Sequence, residues 1–357
     1  MTTPAWDTLW RESFNISPQV PQWLLASMVL ALVYIFVILP CTAVFTYVDR
    51  KLGADFQARV GPNRAGPAGI LQPLADLLKM IQKEDRAPRH WRETLWFSVH
   101  TMALYSTVAV LPLGSMVVLV DADMSAFLPF WAALVLSLGT MLLGLSQRTV
   151  PGWLGGTRVA AQALAGAVPA VFTLLSAGLP SGGFRWTAIV AAQGAWPSSW
   201  TAFSNPFQFV AFLVYVIAGL VLLGVPPLDG GLSLSDIHGG VSSHLSGRRL
   251  SLFRFGRFYG FFLWSVIGSV LFLGAWNLPA GLQDSLSQSR FAEELLEVSL
   301  LIFKTAVLML TVIWTSRVNP RSRVDQITDF SWRVLSPFSL FALIGAALWA
   351  GWRGFFS

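Results

Sequence analysis

The apolar positions fall in long blocks separated by short polar stretches. Eight blocks are long enough to cross a bilayer, which takes about 20 mostly apolar residues. They run over approximately 21–48, 95–120, 128–147, 158–178, 207–225, 257–277, 296–316 and 334–352. One stretch departs from this alternation. After the first block the chain turns polar and is punctuated by Gly61-Pro62-Asn63 and Gly66-Pro67, which mark turns. Helical periodicity then returns over about 70–84. Ile70, Leu71, Leu74, Leu77, Leu78 and Ile81 share one face, and Gln72, Asp76, Lys79 and Lys83 the other. Pro73 fits a first helical turn. This pattern predicts an amphipathic helix lying at the membrane surface. Pro40 predicts a kink in the first block.

The expected fold is therefore all-α: one polytopic membrane domain over 1–357, with eight transmembrane helices and one interfacial helix after the first. Charge supports this. Charged residues are only 12% of the chain, about half the share of a soluble domain. The basic residues also gather in alternate loops. The loop after the first block carries nine, from Arg50 and Lys51 to Arg92. The loops after the third, fifth and seventh blocks carry Arg148, the run Arg248 to Arg257, and the run Arg317 to Arg333. The intervening loops hold Arg185 and Arg290 with Asp121, Asp123, Asp284, Glu293 and Glu294. By the positive-inside rule the basic loops face the cytoplasm and both termini lie on the other side. The first block is too long for a removable leader and lacks a basic lead-in. The net charge of +6 suits anionic lipid or an acidic partner rather than nucleic acid.

Little in the chain can hold a redox centre. There is one cysteine, Cys41, and four scattered histidines, His90, His100, His238 and His244. No phosphate-cradling glycine loop appears. Flavin, haem and iron–sulfur clusters are therefore not expected on this chain, nor is a metal site. Lys304, deep in the seventh block, is an intramembrane charge of the kind that usually marks function, or else snorkels or pairs with Glu297. Arg158 and Gln162 share one helix face, as a polar clamp or as part of a charge path.

The run Asp49-Arg50-Lys51, Gln57-x-Arg59-x-Gly61-Pro62-Asn63, Gly66-Pro67-x-Gly69, Leu71-Gln72-Pro73-x-Ala75-Asp76, Lys79 and Lys83-Glu84-Asp85 resembles the membrane-embedded H subunit of respiratory complex I, the NADH:quinone oxidoreductase. Arg158-x-x-Ala161-Gln162, Pro227-Leu228-Asp229, Ser246-Gly247 and Pro320-Arg321-x-Arg323-x-Asp325-Gln326 extend the resemblance over about 20–350. It implies a bacterial inner-membrane subunit that helps form the quinone chamber, with quinone as substrate. Its partners would be the membrane-arm and hydrophilic-arm subunits and lipid, the partner subunits supplying the redox centres. Asp49, Arg50, Arg59, Asn63, Gln72, Asp76 and Lys79 would wall the chamber and dock the arm. No catalytic residue is assigned to the chain itself.

The departures from the family pattern concern its acids, which are thought to carry protons. Their positions fall on Ala167, Leu222, Asp229, Leu232, Leu234, Asp236, His244 and Arg257, and a family arginine falls on Val225. Only Asp229 and Asp236 remain acidic. Leucine and alanine cannot exchange protons, so the resemblance implies a weakened relay whose remnant is Arg158, Gln162, Asp229, Asp236 and Lys304. The alternative is an uncoupled or purely anchoring subunit of a hydrogenase-like or ferredoxin-linked complex. A stand-alone transporter would show internal repeats, and none is evident.

Overall fold

The computed structural model describes residues 28, 30–84, 91–115, 118, 120–230, 240–279 and 290–356. Among these the regular structure is helical, with no strand. Seven helices are long and apolar enough to cross a membrane. They are α1 (Leu30–Phe56), α4 (Ser125–Ser146), α5 (Val150–Gly178), α6 (Pro206–Leu223), α7 (Gly247–Phe272), α8 (Ala292–Val318) and α9 (Val324–Trp352). Between α1 and α4 lie the interfacial helix α2 (Gln72–Gln82) and α3 (Trp91–Ser106).

Several boundaries differ from those read off the hydropathy. The expected second span, 95–120, is α3 followed by a 3₁₀ turn, Thr107–Val110, after which residues 111–115 are irregular. Pro112 and Gly114 follow at that point, and proline does not continue a helix. Helix α5 begins at Val150 rather than 158, and α7 at Gly247 rather than 257. Both leading segments contain arginine or glycine, which a hydropathy window discounts although the backbone continues through them. Helix α1 continues to Phe56 rather than 48, so Asp49 and Arg50 sit on its last turns instead of in the loop. The kink expected at Pro40 takes the form of a π-helical turn, Tyr34–Ile38, just before it. Proline cannot accept the ordinary i−4 geometry, and a wider turn relieves the clash.

Helix α7 is the axis of the molecule, the most thoroughly buried of the seven. Its aromatic and aliphatic face from Phe261 to Phe272 makes the main core with α6, α8 and α1. Trp264 stacks on Tyr215 of α6 at 4.6 Å. The two rings also exchange hydrogen bonds with each other's backbone. Tyr215 Oη donates to the Trp264 carbonyl at 3.0 Å, and Trp264 Nε1 to the Tyr215 carbonyl at 3.3 Å. Both polar handles of two buried aromatics are thereby satisfied.

Helices α4 and α5 form a tight hairpin. A Cβ on Gly144 would lie 2.6 Å from the Gly152 carbonyl and 3.0 Å from Gly156 Cα. Only glycine permits this approach, the usual device for packing helices where burial from water gives no drive.

The outer surface is apolar. Phe36, Leu348 and Trp352 are each about 70% exposed, as suits helices facing acyl chains or other subunits. The polar loops gather at one end. Gln147 Nε2 donates to the Val241 carbonyl, Asp229 meets Arg321, Asp49 meets Arg317, and Gly247 abuts the Glu84 backbone. Contacts thus join the four loops that the charge pattern groups together, and we call this the basic end.

Candidate functional site

At the basic end a cleft of about 390 Å³ opens between the end of α1, the loop behind it, α2 and the end of α8. Local sequence explains its shape. Arg59 N–H returns to the Ala54 carbonyl at 3.0 Å as the chain leaves α1. Gly69, at φ +81°, brings the loop back so closely that a Cβ there would meet the Pro62 carbonyl at 2.2 Å. Tyr47 Oη of α1 donates to the Ala68 carbonyl at 2.8 Å, tying the loop's far side to the helix.

The apolar residues Ile70, Leu71, Leu74 and Leu78 remain about half exposed, while the polar face of α2 turns toward α1. Asp76 pairs with Arg50 and accepts from Gln72 Nε2 at 3.0 Å. A helix with its polar side inward and its apolar side open suits a bilayer surface.

Asp49, Arg50, Arg59, Gln72 and Arg317 line this cleft. Asp49 is 8% exposed and is held by both arms of the Arg317 guanidinium, Nε at 3.0 Å and the second contact shorter. Gly53 lets Arg317 cross α1, since a Cβ there would lie 3.1 Å from Nε. Arg59 Nε donates to Gln57 Oε1 at 2.8 Å. Asn63 and Lys79 are exposed on the loop and on α2, outside the lining of the cleft. Four of the seven expected chamber residues therefore line the cleft, Asp76 joins them only through Arg50 and Gln72, and the structure adds Arg317, which the sequence assigned only to a basic rim.

Next to the cleft Asp229 joins three segments. Its Oδ1 meets Arg321 Nε at 2.9 Å, a charge contact rather than a linear hydrogen bond, and its Oδ2 lies 3.8 Å from Arg257 Nη2. Arg257 also donates to the Gly224 carbonyl at 3.0 Å. Gly224 caps α6 in the left-handed conformation. Ser322 N–H donates to the Pro227 carbonyl at 3.1 Å, closing the same junction.

The other expected relay residues part company. Gln162 is buried, and its amide donates to the Val221 and Leu228 carbonyls, clamping α5 to the end of α6. Arg158 lies one turn earlier, half-buried. Lys304 is about 20 Å along α8 from Arg317. Its ammonium donates to the Ala275 carbonyl at 2.7 Å and sits 4.6 Å above the Trp200 ring. Glu297, its other expected partner, accepts from Ser115 N–H at 2.8 Å. Asp236 and His238 lie outside the described residues.

Sequence reasoning missed one buried pair. Glu93 has no exposed side chain and pairs with Arg249 of α7 at 3.1 Å. An acid two residues into a helix reads as a dipole partner. The available signal was a lone carboxylate at the border of a basic loop and an apolar span.

These features define a polytopic helical membrane protein with a polar cleft walled by its first span and a surface helix. A family model for NADH dehydrogenase matches residues 29–347. The H subunit of NADH-quinone oxidoreductase from Anaeromyxobacter dehalogenans (strain 2CP-C) is 30% identical over 344 residues, 93% of this chain and 83% of that protein. The H subunit from Rubrobacter xylanophilus (strain DSM 9941 / JCM 11954 / NBRC 16129 / PRD-1) is 31% identical over 322 residues, 88% and 93% respectively. The chain belongs to the NADH dehydrogenase family, alongside these H subunits of NADH-quinone oxidoreductase. In fold it matches a chain of the membrane-bound sulfane sulfur reductase (MBS), an archaeal respiratory membrane complex, with a TM-score of 0.77 at 21% identity, covering 90% of this chain and 99% of that one.

Proposed function

We propose that this chain is the quinone-chamber membrane subunit of a complex-I-like NADH:quinone oxidoreductase in a bacterial inner membrane, with its basic end in the cytoplasm against the hydrophilic arm. The observation that carries the reading is the cleft. Its volume of about 390 Å³ falls in the range of small-molecule sites. Its walls offer the guanidiniums of Arg50, Arg59 and Arg317 and the Gln72 amide to a quinone carbonyl. The uncovered apolar side of α2 gives an isoprenoid tail a surface to run along. Electrons would come from centres on partner subunits.

In this reading the carboxylate relay is weakened. Asp229 is committed to Arg257 and Arg321, and Gln162 to backbone carbonyls. A second reading is an uncoupled or anchoring subunit. The likeness in fold to a chain of a sulfane sulfur reductase complex favours it, because the same scaffold there serves a complex named for another substrate. The test is to purify the native complex, reconstitute it in liposomes, and record NADH:quinone reduction with proton uptake. Inhibitor-sensitive quinone reduction supports the chamber, and its absence in a fully assembled complex sinks it. Quinone reduction without proton uptake supports the uncoupled form.

A further inference from the structure

A small cavity of about 30 Å³ lies inside the bundle, walled by α3 to α7. A water needs roughly 10–15 Å³ of such space and two or more polar partners, so about two fit. Cavities that stay empty are apolar, and this one is bordered by His100, Ser137, Thr140, Gln162 and Arg257.

The neutral groups have already committed their protons to the protein. Thr140 gives its hydroxyl proton to the Leu136 carbonyl at 2.8 Å, so the 2.9 Å contact with His100 Nδ1 has the ring donating. Ser137 shares its proton between the Ala133 and Leu222 carbonyls at 3.0 and 3.2 Å. The Gln162 amide donates to the Val221 and Leu228 carbonyls. Ser137 and Thr140 can therefore only accept from whatever fills the cavity. Arg257 is the opposite case, since a guanidinium carries five N–H donors and no acceptor. Its Nη2 donates to the Gly224 carbonyl at 3.0 Å and lies 3.8 Å from Asp229 Oδ2. Among the described residues no hydrogen-bond acceptor takes Nε or Nη1. The nearby carboxylates have closer partners. Asp49 is held by Arg317 and Asp229 meets Arg321 at 2.9 Å, so the positive charge of Arg257 is only partly offset.

We propose that this cavity is a water pocket closed to cations, protons included, by the Arg257 guanidinium. Water lying between Arg257 and the two hydroxyls must turn its oxygen to the guanidinium and its hydrogens to Ser137 and Thr140. Water held in one orientation hands a proton on only by turning over, and the cation at its oxygen end opposes that turn. An excess proton or a metal cation beside Arg257 also meets a like charge where little solvent screens it. The pocket thus admits neutral water and rejects positive charge. Its place in a proton route of a quinone-reducing complex rests on the function proposed above. The barrier itself does not.

The test uses the assembled complex with Cys41→Ser and Ser137→Cys, which removes the chain's own thiol and puts one on the cavity wall. Separate samples meet hydrogen peroxide, a small neutral probe, and silver ion, a cation. Mass spectrometry of the peptide bearing residue 137 gives both reaction rates, and their ratio cancels any change in the ionisation of the thiol. Arg257→Gln should raise the silver-to-peroxide ratio by about tenfold or more. Arg257→Lys, which keeps the charge but not the guanidinium, should leave it within about twofold of the parent. An unchanged ratio in Arg257→Gln, or an equal rise in Arg257→Lys, overturns the barrier. A thiol that peroxide does not reach overturns the hydrated pocket. So does an empty cavity in a high-resolution map of the wild-type complex, a measurement that needs no variant to fold. A complex that reduces no quinone would sink the chamber reading and leave these rates, and the pocket, untouched.

Discussion

Replacing Asp229 by asparagine removes one negative charge from between two guanidiniums. Oppositely charged groups about 4 Å apart attract by about 4 kcal/mol at an effective dielectric of 20. The contacts here are 2.9 and 3.8 Å. Arg321 and Arg257 are 32% and 29% exposed while Asp229 is 12% exposed, so solvent takes back most of that, leaving about 1 kcal/mol for each pair. Asparagine also leaves Arg257 and Arg321 facing each other without an acid between them. The expected loss is therefore about 2–3 kcal/mol. At about 2 °C per kcal/mol, the value for larger chains, the unfolding midpoint drops by about 4–6 °C. Intrinsic tryptophan fluorescence of the purified complex, scanned at one fixed rate, reads this. Unfolding of such an assembly is irreversible, so only equal scan rates compare. Arg321→Gln should lose only about 1 kcal/mol, because Asp229 keeps Arg257. The double variant should be less destabilised than the sum of the two, since the groups interact directly. An Asp229→Asn midpoint within about 1 °C of wild type, or strictly additive effects, would refute the argument that this carboxylate joins three segments.

The Arg50–Asp76 pair is 47% and 31% exposed, so Arg50→Ala should cost no more than about 1 kcal/mol of stability. Its effect should appear as a raised KM for quinone in liposomes with kcat less affected, and an unchanged KM would remove Arg50 from the chamber wall. Gly144→Leu drives a side chain into the Gly152 carbonyl, and the complex should fail to assemble on native gels; normal assembly would show that α4 and α5 can separate at no cost. Lys304→Met keeps the stem but loses the Ala275 hydrogen bond and the Trp200 contact. It should lower the melting midpoint by an amount equivalent to about 2 kcal/mol, and Trp200→Leu should lower it less.

Hydropathy made the fold legible because the bilayer imposes one length and one polarity on every span. It misplaced ends where polar residues ride on helices, as at Asp49, Val150 and Gly247, because an arginine near a membrane border stops a window average without stopping a helix. The second span was harder. Residues 95–120 are apolar enough to read as one span, but Pro112 and Gly114 break the backbone inside it. The cleft was readable in outline, since Asp49, Arg50, Arg59 and Gln72 sit within one continuous motif. Arg317 was not, because its partnership with Asp49 spans 268 positions and leaves no local periodicity. Glu93 with Arg249 and His100 with Thr140 escaped for the same reason.

Helix α7 is the least apolar of the seven spans and the most thoroughly enclosed. Arg248, Arg249, Arg254 and Arg257 ride on its first three turns. An arginine well inside a span costs an emerging helix about 2.5–3.5 kcal/mol in lipid. Glu93 and Asp229, which take up two of these charges, and the Gly224 carbonyl all precede α7 in the chain. Its counter-charges have therefore left the ribosome before it does. Order of synthesis thus matches the architecture: the groups that take up charges of α7 are made before it, and α8, which packs on it, is made after. Moving the segment ahead of α3 in a permuted chain would present these arginines to the bilayer before Glu93, Asp229 and the Gly224 carbonyl had been made.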